Sequence, residues 1–129
     1  MPEEGESNLK VLLNNLSPQT AGDWAFVVVQ DPAELGEIAP LMTFREEEGL
    51  TAVVPASASS GLDVRFVGTR IDLTIHSSLS AAGLTAAVSG ALAKQNIPAN
   101  VVAAVYHDYL FVPPDRAEEA LSILRSLES

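Results

Sequence analysis

The chain has 129 residues, 47% of them apolar, so it can form one ordinary domain or two very small halves around a real core. It has no cysteine, which excludes disulfides, thiolate chemistry, zinc ribbons and iron–sulfur clusters. Seven Lys and Arg stand against 17 acids, for a net charge of -10, and aromatics are 5%; nucleic acid and anionic membrane surfaces are therefore poor partners.

The start, Met1 to Glu6, is acidic and lacks the apolar run of a secretory signal. No stretch approaches the ~20 apolar residues of a membrane span, so a cytoplasmic protein is expected. Leu9, Leu12, Leu13 and Leu16 fall at helical spacing, with Ser7 as N-cap and Pro18 as the stop. Trp24 to Gln30 reads as a strand buried on both faces. Asp31 to Pro40, broken by Pro32, Gly36 and Pro40, leaves room for two helical turns at most. Leu41–Arg45 and Leu50–Val54 form a hairpin around Glu46, Glu47, Glu48 and Gly49; the acids are read as a solvated turn, too closely spaced for a calcium loop. Pro55 ends the second strand, Ala56–Ser60 makes a short helix, and Val64–Val67 is a short strand that Gly68 breaks.

Arg70 to His76 alternates strictly, with Ile71, Leu73 and Ile75 on one face. Leu84, Ala87, Val88, Ala91 and Leu92 trace a helical stripe. A strand over Asn100–Tyr106 turns at His107 and Asp108 and returns over Tyr109–Val112. Pro113 and Pro114 stop the ladder, and Asp115 with Glu118 resembles a capping box opening a helix whose core stripe is Ala117, Ala120, Leu121, Leu124 and Leu127. A hairpin, a Pro stop and a helix thus occur twice. The second half is a ferredoxin-like βαββαβ unit lacking its last strand, and the first half is expected to supply the missing neighbour, within the chain or from a second copy. The organisation predicted is an acidic segment with a short helix at 1–20, a degenerate first half at 21–68 and a second half at 69–129.

Thr74 to Pro113, and within it His76-Ser77-Ser78-Leu79, Gly83-Leu84-Thr85-Ala86, Asn96-Ile97 with Asn100-Val101-Val102, and Tyr106 to Pro113, resembles the ACT domain superfamily. More narrowly the chain is similar to small stand-alone prokaryotic proteins of two fused ACT-like halves. The segment Leu41 to Pro55 resembles the same group. The resemblance implies an α/β ferredoxin-like fold, antiparallel sheets with helices on one face, and a non-catalytic regulatory module that binds a small molecule, an amino acid or a related metabolite.

In such a unit the end of the first strand, the start of the first helix and the turn between strands two and three share one edge. That edge gathers His76, Ser77, Ser78, Gly83, Leu84, Thr85, His107 and Asp108. Exposed helix N–H groups favour a carboxylate there, and Gly83 admits a close backbone approach. The plainer reading is that the serines cap the helix and Gly83 serves packing. Asn100 either faces a ligand across an interface or bonds its own backbone as a turn residue. His76, His107 and Asp108 make a weak metal set, read as surface or capping groups, so no metal is expected. Trp24 and Phe44 are assigned to the core or an interface. No Walker loop or G-x-S-x-G elbow occurs, and no cofactor is expected. Val101 to Val105 is apolar on both sides of its strand, which points to a homodimer. Two other readings stay open: an acid–base enzyme using the His76/His107/Asp108 edge, and a dimerisation module without ligand.

Overall fold

The computed structural model describes residues 8–75 and 83–127. The elements in chain order are α1 (Leu9–Asn14), β1 (Gln19–Val29), β2 (Met42–Glu46), β3 (Gly49–Pro55), β4 (Asp63–Asp72), α2 (Leu84–Ala93), β5 (Asn100–Ala103), β6 (Asp108–Val112) and α3 (Ala117–Arg125). Short 3-10 turns stand at Pro32–Leu35, Ala56–Ala58 and Pro114–Arg116. The fold is mixed α/β and ferredoxin-like, with the strand order β2-β3-β1-β4-β6-β5. The chain divides into two compact units: one runs from Gly22 to Thr69, the other joins the residues up to Ala21 with those from Arg70 onward.

In the Gly22–Thr69 unit the order β2-β3-β1-β4 is that of a βαββαβ sheet whose crossover helices have shrunk to 3-10 turns. β1 and β3 pair antiparallel from Trp24 opposite Pro55 to Val29 opposite Leu50, and β2 pairs with β3 from Met42 opposite Val53 to Glu46 opposite Gly49. Alternation then sends Ala25, Val27 and Val29 to one face, where they pack with Ala52, Val54 and Leu35. The turn carrying Leu35 has a capping box. Asp31 Oδ1 accepts from the Ala33 amide at 2.9 Å, and Glu34 Oε2 accepts from the Asp31 amide at 2.9 Å. The sequence places a capping box at Asp115 and Glu118 instead; there Arg116 stands at the N-cap of α3 with no side-chain cap bond, because Pro114 starts a 3-10 turn first. Asp31→Ala is expected to cost about 1 kcal/mol in urea unfolding.

In the second unit, α1, the end of β4, α2, β6 and α3 close one aliphatic core. It holds Leu12, Leu16, Ile71, Leu73, Val88, Leu92, Leu110 and Leu124 on the helix-covered face of the sheet. β5 and β6 pair antiparallel from Asn100 opposite Phe111 to Ala103 opposite Asp108. On the other side of β4 the neighbour is β1, in the place a fourth βαββαβ strand would take. The turn that follows α2 passes through Asn96 at φ 59°, with the Ile97 amide reaching back to the Leu92 carbonyl at 3.0 Å. Arg116 Nη2 donates to the carbonyl of Gln95 just past that helix end, at 3.0 Å.

Several boundaries differ from the sequence expectation. Asn8, not Ser7, caps α1, its side chain accepting from the Val11 amide at 3.2 Å; Ser7 lies outside the described residues. β1 begins at Gln19, five residues before Trp24. Gly68 does not break β4, which runs unbroken from Asp63 to Asp72; an interior strand's ladder bonds hold a glycine in extended geometry. The predicted strand to His76 stops at Asp72, and Thr74 takes φ 55°, a costly conformation for a β-branched residue, with its hydroxyl donating to the Ser17 carbonyl. The β5–β6 turn is two residues earlier than His107-Asp108: the Ala104 amide bonds the His107 carbonyl at 3.0 Å, so Val105 and Tyr106 form the exposed tip. Phe44 is exposed on the edge strand rather than in the core. The repeated Pro stop holds in detail, with Pro55 at φ -55°, ψ 134° and Pro113 at φ -55°, ψ 136°.

Candidate ligand-binding site

The end of β4, the start of α2 and the start of β6 belong to the same unit. The first and last of these are neighbours: the Leu73 amide donates to the Asp108 carbonyl at 3.1 Å. Asp108 itself is buried and His107 half-buried. His107 meets Tyr109 edge-on with ring centroids 6.4 Å apart. Over the Tyr109 ring lies the Arg70 guanidinium, 4.9 Å from its centroid. Arg70 is in turn forked onto Asp72, Nε to Oδ1 at 2.6 Å and Nη2 to Oδ2 at 3.1 Å. Arg70 and Asp72 share a face because they are two apart on a strand, and β6 carries Tyr109 to the same side. Strand alternation shows Arg70 and Asp72 together; the stacking on Tyr109 depends on strand order, which the sequence does not print.

Leu84 is a core residue, so only its backbone is available to a ligand. Thr85 is exposed, and its carbonyl accepts from the Ser89 hydroxyl at 2.6 Å. Gly83 adopts φ 96°, and a Cβ built on it meets Leu9 Cδ2 at 3.0 Å. The residue that comes close to Gly83 is thus a leucine of α1, which favours the packing role for this glycine. Asn100 is exposed at the far end of the β5–β6 ladder, about 10 Å along the strand from the turn end, and does not join this edge. His76, Ser77 and Ser78 lie outside the described residues. Among the described residues no group of three or more His, Asp or Glu side chains is placed to hold a metal ion.

Charge effects elsewhere are local. The Arg65 guanidinium, hydrogen-bonded to Asp63, holds that carboxyl below its usual range, and Arg116 does the same to Glu119. A depressed folded pKa adds stability above the ordinary carboxylate range, lost as pH falls through the lowered value. Both pairs are solvent-exposed, so the effect is small and screened by salt. No helix among the described residues is long and apolar enough to cross a membrane.

A family model described as ACT domain matches residues 4–68, and a second ACT domain model matches residues 68–126. The chain belongs to the ACT domain family. Its sheet order in the Gly22–Thr69 unit and its β4-α2-β5-β6-α3 run are those of two successive ACT halves. Among solved structures this ACT protein is similar to a Vibrio cholerae protein of unknown function, described as a possible transport protein. The two are 40% identical, over 94% of this chain and 96% of that one, with a TM-score of 0.82. It shares its fold with an Agrobacterium tumefaciens protein at 17% identity, covering 88% and 89% of the two chains, TM-score 0.64. The same holds for the regulatory subunit of aspartate kinase from Thermus flavus at 12% identity, covering 88% and 99%, TM-score 0.60. No curated protein matches the sequence.

Proposed function

We propose that this protein is a non-catalytic regulatory module of the cytoplasm that binds an amino acid or a related small metabolite and works as a homodimer. The observation that carries the reading is the pair of consecutive ACT matches spanning residues 4–126. The likeness in fold to an aspartate kinase regulatory subunit supports a regulatory role. The proposed ligand edge comprises His76, Ser77, Ser78, the backbone of Gly83 and Leu84, Thr85, His107 and Asp108, with Asn100 contributing only across a chain–chain interface. A ligand α-carboxylate would meet the first amides of α2, where the helix dipole favours negative charge. To signal, the ligand must distinguish two states of the protein, and a change in dimer geometry is the simplest pair.

The test is a thermal-shift screen of the twenty amino acids at 10 mM. A ligand present at ten times its Kd stabilises by about 1.4 kcal/mol, and His107→Ala should reduce that gain. Absence of a shift with every amino acid would remove the amino-acid reading.

A further inference from the structure

In the Gly22–Thr69 unit the two faces of the sheet differ in kind. The face carrying Ala25, Val27 and Val29 is aliphatic and is packed by Leu35, Ile38 and Leu62. The opposite face carries the large aromatic side chains. Strand register puts Phe26, Val53 and Met42 in one row, and Val28, Thr51 and Phe44 in the next. Phe66 on β4 meets Phe26 edge-on at 5.5 Å, so β4 adds Phe66 and, two residues away, Val64 to the same side. Phe44 is 65% exposed and Val64 39%, while Phe26, Phe66, Val28 and Met42 are half-buried.

We infer that this aromatic face of β1 to β4 is the seat of a second copy of the chain, the two sheets packing face to face about a two-fold axis. The inference deepens the homodimer of the proposed function and rests on it. Area is one argument. The exposed parts of these six side chains come to on the order of 300–400 Å², as large as the biggest patch on an ordinary monomer. That is the larger part of the apolar area one partner brings to a standard interface of about 800 Å² per partner. Charge is the second argument. The chain carries -10 and two copies repel wherever acidic surfaces meet. Among the face's strand positions in this unit only Glu46, at a corner and bonded to the Thr51 hydroxyl at 2.5 Å, is ionisable. A face with a single carboxylate at its corner offers little to a basic or acidic partner, but it matches a copy of itself under two-fold symmetry. Two twisted sheets stack in this way about 10 Å apart with their strands crossing near 30°.

The experiment is sedimentation of the full chain at 1 and 100 µM beside Phe44→Lys and the double variant Phe44→Lys/Val64→Lys, with melting curves of each. Both positions are exposed, so the variants should fold. The expected result is a wild-type dimer whose Kd rises at least about a hundredfold in Phe44→Lys, because each interface loses two aromatic anchors. A wild-type dimer that persists unchanged in the folded double variant would overturn the assignment of this face and leave the homodimer standing. A wild-type monomer at 100 µM would overturn both, including one whose Phe44 face instead takes up a different protein or a lipid vesicle.

Discussion

Leu12→Ala is expected to lower the unfolding free energy by about 3–5 kcal/mol, a large share of the ~5–15 kcal/mol that holds a domain of this kind together. Leu12 has no exposed surface and lies in the same core as Ile71, Leu92 and Leu124, residues from more than fifty positions away. α1 is only six residues long, too short to hold as a helix alone. Its order comes from burying Leu12, with Leu16 two residues past its end, in the core built by residues 70 onward. Val11, next along the helix and 41% exposed, supplies the contrast: Val11→Ala should change stability by less than about 0.5 kcal/mol. Urea denaturation of the two variants decides the matter. A Leu12→Ala protein as stable as the parent would mean that α1 is an appendage rather than part of the core.

The second large effect falls at Gly83. Its φ of 96° is open to glycine and costly for any residue with a Cβ, and that Cβ would also press on Leu9 Cδ2. Gly83→Ala is expected to destabilise by about 2 kcal/mol, most of it conformational. The two components separate in a double-mutant cycle. With Leu9→Ala already present the steric part disappears and the backbone part remains, so Gly83→Ala should cost less there but still about 1 kcal/mol or more. Equal costs in both backgrounds would show that Leu9 yields freely and that the glycine is required by its dihedral alone.

What could be read from the sequence followed from short-range rules. Alternation at Ile71 and Leu73, the helical stripe of Leu84, Val88 and Leu92, and the Pro55 and Pro113 stops all depend on neighbours within a few residues, and all appear in the structure. The ACT resemblance added the order of the pieces. The misses have a common cause in tertiary context. Gly68 looks like a break until it is seen inside a strand paired on both sides. The Val105-Tyr106 turn tip is apolar, so turn chemistry pointed past it to His107-Asp108. Asp31/Glu34 and Asp115/Glu118 have the same sequence signature, and the placement of the prolines, Pro32 after Asp31 but Pro113 and Pro114 before Asp115, separates them. At the candidate site, Gly83 and Asp108 were visible as residues. The leucine against one and the Arg70–Tyr109 stack beside the other belong to chain segments that sequence proximity does not join.

The division of the chain at Ala21/Gly22 and Thr69/Arg70 also bears on its synthesis. The unit that holds Leu12 and Leu16 is not finished until residues near Leu124 have been added. At about 5–20 residues per second, the first leucines leave the ribosome several seconds before their partners exist. The Gly22–Thr69 segment is contiguous, so the strands that pair within it are all synthesised in that interval. Leu12 and Leu16 are therefore made well before the residues they pack against.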